Sequence, residues 1–299
     1  MPDWPLTRRA LLGAAALPWL TGCTTPLPLV RPPAGDPTAA ARLRESAEAH
    51  GLAAYRRLTD INVSYAGQWR PLVGRIQPEL VDAGFRGSSQ ERLMPAAGVC
   101  AQAYSGPLGR KQVWWRRGRT PAEETDPGEV AVWFNGVRSG DPVARQAAAL
   151  VAEAYGLFLL GPLWLVDRKL PMAMGDSERV DGRLCDAVDV WLSPGLGQVA
   201  ADRIVLYIDR SDGTLRRVRF TLEGLVSTQG AVAEVDAFDH ERRFGVLWPT
   251  RFFERLVHPA PLPVHDWRVT GLDVNRDHAA QALAGPAFTG AAATPALPL

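Results

Sequence analysis

The sequence predicts an α+β chain: a helix, a long antiparallel sheet, and a helical stretch that interrupts the sheet. Three observations predict it. Asp36-Pro37 and Asp141-Pro142 each set a capping carboxylate before a proline, the arrangement that starts a helix. Asp212-Gly213 lies between two strand patterns in "RIVLYIDRSDGTLRRVRFTL", the strongest short-range hairpin signal. Strand runs follow one another without the βαβ rhythm of a parallel sheet.

The first helix is expected from Pro37 to about Leu58, because Leu43, Ala47, Ala54, Tyr55 and Leu58 recur at helical spacing. The runs "INVSYAGQW", "ERLMPAAGVCAQAYSG", "RKQVWWRRG" and "EVAVWFNG" are β-branched or aromatic and punctuated by Gly and Pro, so they read as consecutive hairpins. After Asp141-Pro142, "VARQAAALVAEAY" is a strong helix former that Gly156 is expected to end. From Gly156 to Pro171, "GLFLLGPLWLVDRKLP" is the most apolar stretch beyond the leader. Gly161-Pro162 breaks it in the middle, so it reads as a buried or lid-like connection.

Hairpins resume with Asp181-Gly182 in "VDGRLCDAVDVWL". After Asp212-Gly213, Val218, Phe220 and Leu222 alternate with Arg217, Arg219, Thr221 and Glu223, giving one dry face and one wet one. "GAVAEVDAFD", "LWPTRFFERLVH" and "HDWRVTGLDVN" add further strands before an Ala/Gly/Pro tail.

At the other end, "LTRRALLGAAALPWLTGC" carries Arg8 and Arg9 before an apolar run from Ala10 to Leu20. That run is about half of the roughly 20 residues a membrane-crossing helix needs, and it has the form of an export signal. Leu20-Thr21-Gly22-Cys23 resembles the lipobox of bacterial lipoproteins, which implies cleavage before Cys23 and a lipid anchor on its sulfur. Thr7 to Leu12 resembles a twin-arginine export signal, with Leu11 where Phe is favoured. The organisation expected is a signal peptide at 1–22, a Pro-rich tether at 23–36, one domain at 37–278 and a flexible tail at 279–299.

Removing Arg8, Arg9 and Asp3 takes 33 basic and 32 acidic residues to 31 of each. A neutral chain lacks the basic footprint of a nucleic-acid binder. With Cys23 committed to lipid, Cys100 and Cys185 remain in a compartment that tolerates disulfides. Two readings stand: a disulfide closing a loop of about 85 residues, or two separate buried thiols.

Sites for chemistry are sparse. There is no Gly-x-Ser-x-Gly elbow, no pair of His one helical turn apart, no Cys-x-x-Cys and no phosphate loop, so neither a cofactor nor a catalytic metal is expected. Asp236, Asp239, His240 and Glu241 read as a solvated turn rather than a metal site. His265 and Asp266 are adjacent on a strand and point to opposite faces. The groups Arg116, Arg117, Arg119 and Arg216, Arg217, Arg219 read as solvated sheet faces. Ten tryptophans supply apolar area for a large core or a cavity wall.

Three stretches carry a resemblance to a superfamily. "AAYRRLTDINVSYAGQW", "VLYIDRSDGTLRRVRFTL" and "FGVLWPTRFFERL", the last with Leu247-Trp248-Pro249-Thr250, resemble the Lol-type lipoprotein carriers and receptors and the related mycobacterial lipid-carrier lipoproteins. The resemblance implies a strongly curved, unclosed antiparallel half-barrel, with helices covering its concave face and an apolar cavity for acyl chains. It brings no catalytic residues. Phe158, Leu159, Trp164 and Leu165 are the candidate cavity or lid contacts, with core packing as the other reading.

The function expected is that of a membrane-anchored lipid- or lipoprotein-binding protein, not an enzyme. The alternatives are an assembly lipoprotein that binds a protein partner and, remotely, a hydrolase using His240 or His265. Thr24 after Cys23, where inner-membrane lipoproteins carry Asp, implies an outer-membrane anchor facing the periplasm.

Overall fold

The computed structural model describes residues 27–30, 34–118 and 128–288, so the expected signal peptide, Cys23 and Arg119 lie outside the described residues. Among the described residues, fourteen strands form one antiparallel sheet. Its first arm holds β1 (Ile61–Trp69), β2 (Ser88–Met94), β3 (Val99–Gly106), β4 (Gly109–Arg116), β5 (Glu129–Phe134) and β6 (Val137–Arg138). The second holds β7 (Met172–Met174), β8 (Glu178–Val180), β9 (Arg183–Leu192), β10 (Asp202–Asp209), β11 (Leu215–Thr221), β12 (Val232–Phe238), β15 (Arg251–His258) and β16 (Leu262–Val274). A separate hairpin consists of β13 (Glu241–Arg243) and β14 (Val246–Trp248).

The strand order runs β6-β5-β4-β3-β2-β1-β16-β15-β12-β11-β10-β9-β7, with β8 beside β7 on β9. The arms join where β1 pairs with β16, and the sheet stays open between β6 and β7. Register shifts at Ser64/Tyr65, Tyr207/Ile208, Val232/Ala233 and Glu254/Arg255 bend the strands as bulges do. The expected unclosed α+β half-barrel is the fold observed.

The chain leaves the sheet at one edge and re-enters it at the other, so the connection must cross the whole inner face. Helix α5 (Pro142–Leu160) does this; its 19 residues span about 28 Å, and the short α6 (Pro162–Leu165) completes the crossing. Asp141 caps α5 by accepting from the Val143 N–H at 2.9 Å. Gly156 does not end the helix: burial of both flanking turns carries it on to Gly161, whose φ of +48° and following proline stop it.

The first helix is also divided. α1 (Pro37–Ala49) ends at His50, and α2 (Leu52–Tyr55) starts after Gly51. Gly51 has φ +93°, and a Cβ there would lie 2.3 Å from the Gly245 carbonyl oxygen, so the β13–β14 turn enforces the break. Asp36 caps α1 through the Thr38 N–H at 2.8 Å. It also reaches edge strand β7: its N–H donates to the Met172 carbonyl and its carboxylate accepts from the Met174 N–H, each at 3.1 Å.

At both ends some described residues pack onto the domain. The described piece of the tether lies on the outer face, where Leu27 packs beside Val205 and Tyr207 and the Trp191 indole N–H donates to the Val30 carbonyl at 3.0 Å. The folded part likewise runs past residue 278, because a 3₁₀ turn at Ala280–Leu283 buries Leu283.

The main core fills the inner side, joining α1, α2, α5 and α6 to inward residues such as Ile204, Leu206, Val218, Phe220 and Trp267. Cys100 sits in this core on β3, whereas Cys185 belongs to a small outer cluster on β9; both thiols are buried and free. The disulfide reading fails because eight steps in strand order and opposite faces of the sheet separate them. On the outer face, Arg217, Arg219 and Arg255 interlock with Glu178, Glu234 and Asp236, so those arginines are paired rather than solvated.

Candidate functional site

Helix α5 divides the concave side unequally. Leu150, Val151, Ala154, Tyr155 and Phe158 recur at helical spacing and face a cavity of about 440 Å³. Its far wall is the inner face of β11, β12 and β15, through Phe220, Ala233 and Leu256, and its side wall comes from α3 (Pro71–Ile76) and α4 (Pro78–Val81). The opposite stripe, Ala152, Glu153, Gly156 and Leu160, closes on β2, β3 and β4 and leaves a cleft of only about 30 Å³.

The closed side is held by a polar strap. Glu153 accepts from Arg117 Nε at 2.6 Å and from the Gly197 N–H at 2.8 Å, tying β4, α5 and the β9–β10 loop together. The Arg117 guanidinium lies 3.8 Å above the Trp164 ring, and Arg168 sits 5.3 Å from the same ring. Burial, reinforced by Arg117, pushes the Arg168 guanidinium down to about 9.

Of the four residues singled out in the apolar connection, only Phe158 lines the large cavity. Leu159 and Leu165 are buried in the core, and Trp164 is pinned between two arginines in the small cleft. The connection itself is no lid, since α5 is buried continuously from Ala147 to Leu160.

The mouth of the cavity is bridged by the half-buried Gln77 and the exposed Ser227. Gln77 Nε2 donates to the Ser227 carbonyl at 3.1 Å, and Ser227 Oγ donates to Gln77 Oε1 at 2.9 Å. This clasp joins the α3–α4 junction to the turn at Val226–Thr228. Leu72, Ile76 and Val226 are exposed beside it and form an apolar rim.

One end of the cavity is polar. Glu254 enters from β15 between the inward residues Phe252 and Leu256, and burial pushes its carboxyl up to about 7. Below it runs a row of rings: Trp69 to His265 at 4.1 Å, His265 to Trp267 at 4.5 Å, and Trp267 to Phe252 at 5.0 Å. Tyr155 Oη and His265 Nδ1 lie 3.0 Å apart. Burial, then the charge of Arg86, hold the His265 imidazole down to about 2, so it is neutral.

The remaining candidates do not converge. Asp236 pairs with Arg217 and Arg255, Asp239 with Arg251, and His240 faces His50 at 5.8 Å. Among the described residues no cluster of three metal-ligating side chains forms. Asp266 is exposed while its neighbour His265 is buried, as strand alternation requires.

Sequence reasoning missed Glu254 and Arg86. Glu254 carried a signal, an acidic residue on the apolar phase of "RFFERLVH". Arg86, in the short loop before β2, carried none, because its neighbours Trp69, Tyr104 and Tyr155 come from three distant elements.

No protein-family model matches the chain, and no curated protein does. Solved structures do match. One is a DUF1329 family protein from Desulfovibrio piger, with 10% identity over 82% of this chain and 97% of that one and a TM-score of 0.50. Another is a LolA superfamily protein from Nitrosomonas europaea, with 11% identity, 84% and 99% coverage and a TM-score of 0.43. At these identities the likeness is one of fold alone, an open antiparallel half-barrel.

Proposed function

We propose that the chain is a membrane-anchored, periplasm-facing binding protein that shelters acyl chains in the cavity between α5 and the inner sheet. Cys23 carries the anchor, in the outer membrane. The observation that carries this reading is the cavity of about 440 Å³, apolar over most of its lining and bordered by a helix whose other side packs shut.

Its size lies within the roughly 300–1,000 Å³ of small-molecule sites. Each methylene buried there gains about 0.8 kcal/mol, which replaces the bilayer as a solvent for the chain. Entry runs through the mouth at Leu72, Ile76 and Val226, where parting the Gln77–Ser227 clasp breaks two exposed hydrogen bonds at about 1 kcal/mol each. The helical connection stays in place as the fixed wall.

The test uses the full chain with Cys23→Ser, exported in soluble form. Native mass spectrometry should show co-purifying lipid, and a fluorescent fatty acid should bind. Ala154→Phe, which fills the cavity from α5, should abolish both while leaving the unfolding transition in place. A wild-type protein that carries no lipid and takes up no probe would overturn the reading.

A further inference from the structure

Beside the large cavity lies a second cleft of about 30 Å³ that shares Trp69 and Tyr155 with it as a common wall. Arg86 enters this cleft. Its guanidinium sits 4.9 Å from the Tyr104 ring centre, 5.5 Å from that of Trp69 and 6.0 Å from that of Tyr155. Arginine keeps its charge in any protein, and three rings offset only part of the cost of desolvating it.

No carboxylate of the described residues forms an ion pair with Arg86, and its Nε is buried without a hydrogen-bond partner. Asp82, close by, is held by Lys111. Glu91 and Glu254 also act on Arg86 through space, but burial pushes their carboxyls up to about 8 and about 7, which blunts their charge near neutral pH.

A second orphan group lines the same cleft. Ser89 Oγ is buried without a partner, on the strand position that pairs with Tyr65 on one side and Tyr104 on the other. Arg86 Nε and Ser89 Oγ are two buried donors without a partner beside one small cleft, where a single acceptor group would satisfy both. The aromatic row closes the cleft from behind, and Gly67 keeps it open: a Cβ there would lie 2.8 Å from His265 Nε2 and 2.4 Å from Trp267 Cβ.

We propose that the cavity takes a single-chain amphiphile with an anionic head, a carboxylate or a phosphate monoester, whose oxygens accept hydrogen bonds from Arg86 and Ser89 while its tail lies in the large cavity. The planar guanidinium suits either oxyanion. The inference rests on the acyl-binding reading and adds the chemistry of the head.

The experiment measures binding of palmitate, hexadecyl phosphate and hexadecanol, three probes with chains of equal length, to the full chain with Cys23→Ser. The two anions should bind at least about tenfold tighter than the alcohol, the scale of one charge-assisted hydrogen bond. Arg86→Met should bring both anions to the level of the alcohol, and Ser89→Ala should weaken them about threefold. Whichever anion binds tighter names the head, and either order supports the site. Hexadecanol binding as tightly as both anions, in the Cys23→Ser chain with no change in the cleft, overturns the anionic head and leaves the acyl cavity standing. Failure of all three probes to bind overturns both.

Discussion

The two sides of α5 receive the same helix and end in opposite states. On one side Ala152 and Gly156 let the sheet approach, Leu160 fills the gap, and Glu153 fastens Arg117 and Gly197 across it. On the other, larger side chains stand around a space about fifteen times larger, 440 against 30 Å³, with the Gln77–Ser227 clasp across its mouth. Protein interiors normally pack like organic crystals, and the closed side shows that this chain reaches that density. The open side is therefore a property of the residues placed there, and the strapped side is the frame that keeps it from collapsing.

The strongest way to break this contrast is to cut the strap. Glu153→Ala leaves the half-buried Arg117 unpaired and the Gly197 N–H unsatisfied, so urea denaturation should show a loss of about 3–5 kcal/mol. A loss under about 1 kcal/mol would mean that the strap does not frame the cavity.

Truncation on each side compares them directly. Leu160→Ala should cost about 3 kcal/mol, because it opens a void in a closed interior. Val151→Ala borders space that already exists and should cost about 1 kcal/mol. Equal costs by chemical denaturation would erase the distinction.

Acidity separates the sides as well. The Glu254 carboxyl is raised from an ordinary 4.5 to about 7 by burial. Between those pH values the unfolded chain has released a proton that the folded chain retains, so stability falls as pH rises through that window and stays lower above it. Glu254→Gln should remove that slope and stabilise the protein by roughly 2 kcal/mol at pH 8, read from unfolding curves across pH. A wild-type slope that the substitution leaves unchanged would place the titration elsewhere.

The smallest effect lies at Gly156. A Cβ there would meet Leu93 Cδ2 at 3.4 Å, ordinary contact, and mid-helix glycine costs about 0.5–1 kcal/mol relative to alanine. Gly156→Ala should raise the free energy of unfolding by that amount, read from urea denaturation. A drop would show the packed side to be tighter than its distances indicate.

How much of this was legible in the sequence depended on range. Asp36-Pro37, Asp141-Pro142, Asp181-Gly182 and Asp212-Gly213 act within four residues, and each stands where local chemistry puts it. At Asp181 and Gly182, φ values of +48° and +76° give the two positive angles such a hairpin turn requires. Gly51 and Gly156 could not be read the same way. The backbone of Gly245, 194 residues away, decides the first, and burial of the surrounding helix decides the second. The candidate site suffered most, because which stripe of α5 meets open space depends on how far the sheet curls. A run as apolar as Phe158 to Leu165 carries no mark separating wall from filler.

Asp36 brings one last consequence. An unclosed sheet offers two free margins where a foreign strand could dock and extend the array, the usual route to fibrils. One margin here is the two-residue β6, too brief to template a partner. At the other, the Met172 carbonyl and the Met174 N–H, which would greet an incoming chain, are already engaged by Asp36. The residue that starts the first helix thus also covers the β7 stretch of the barrel's open seam.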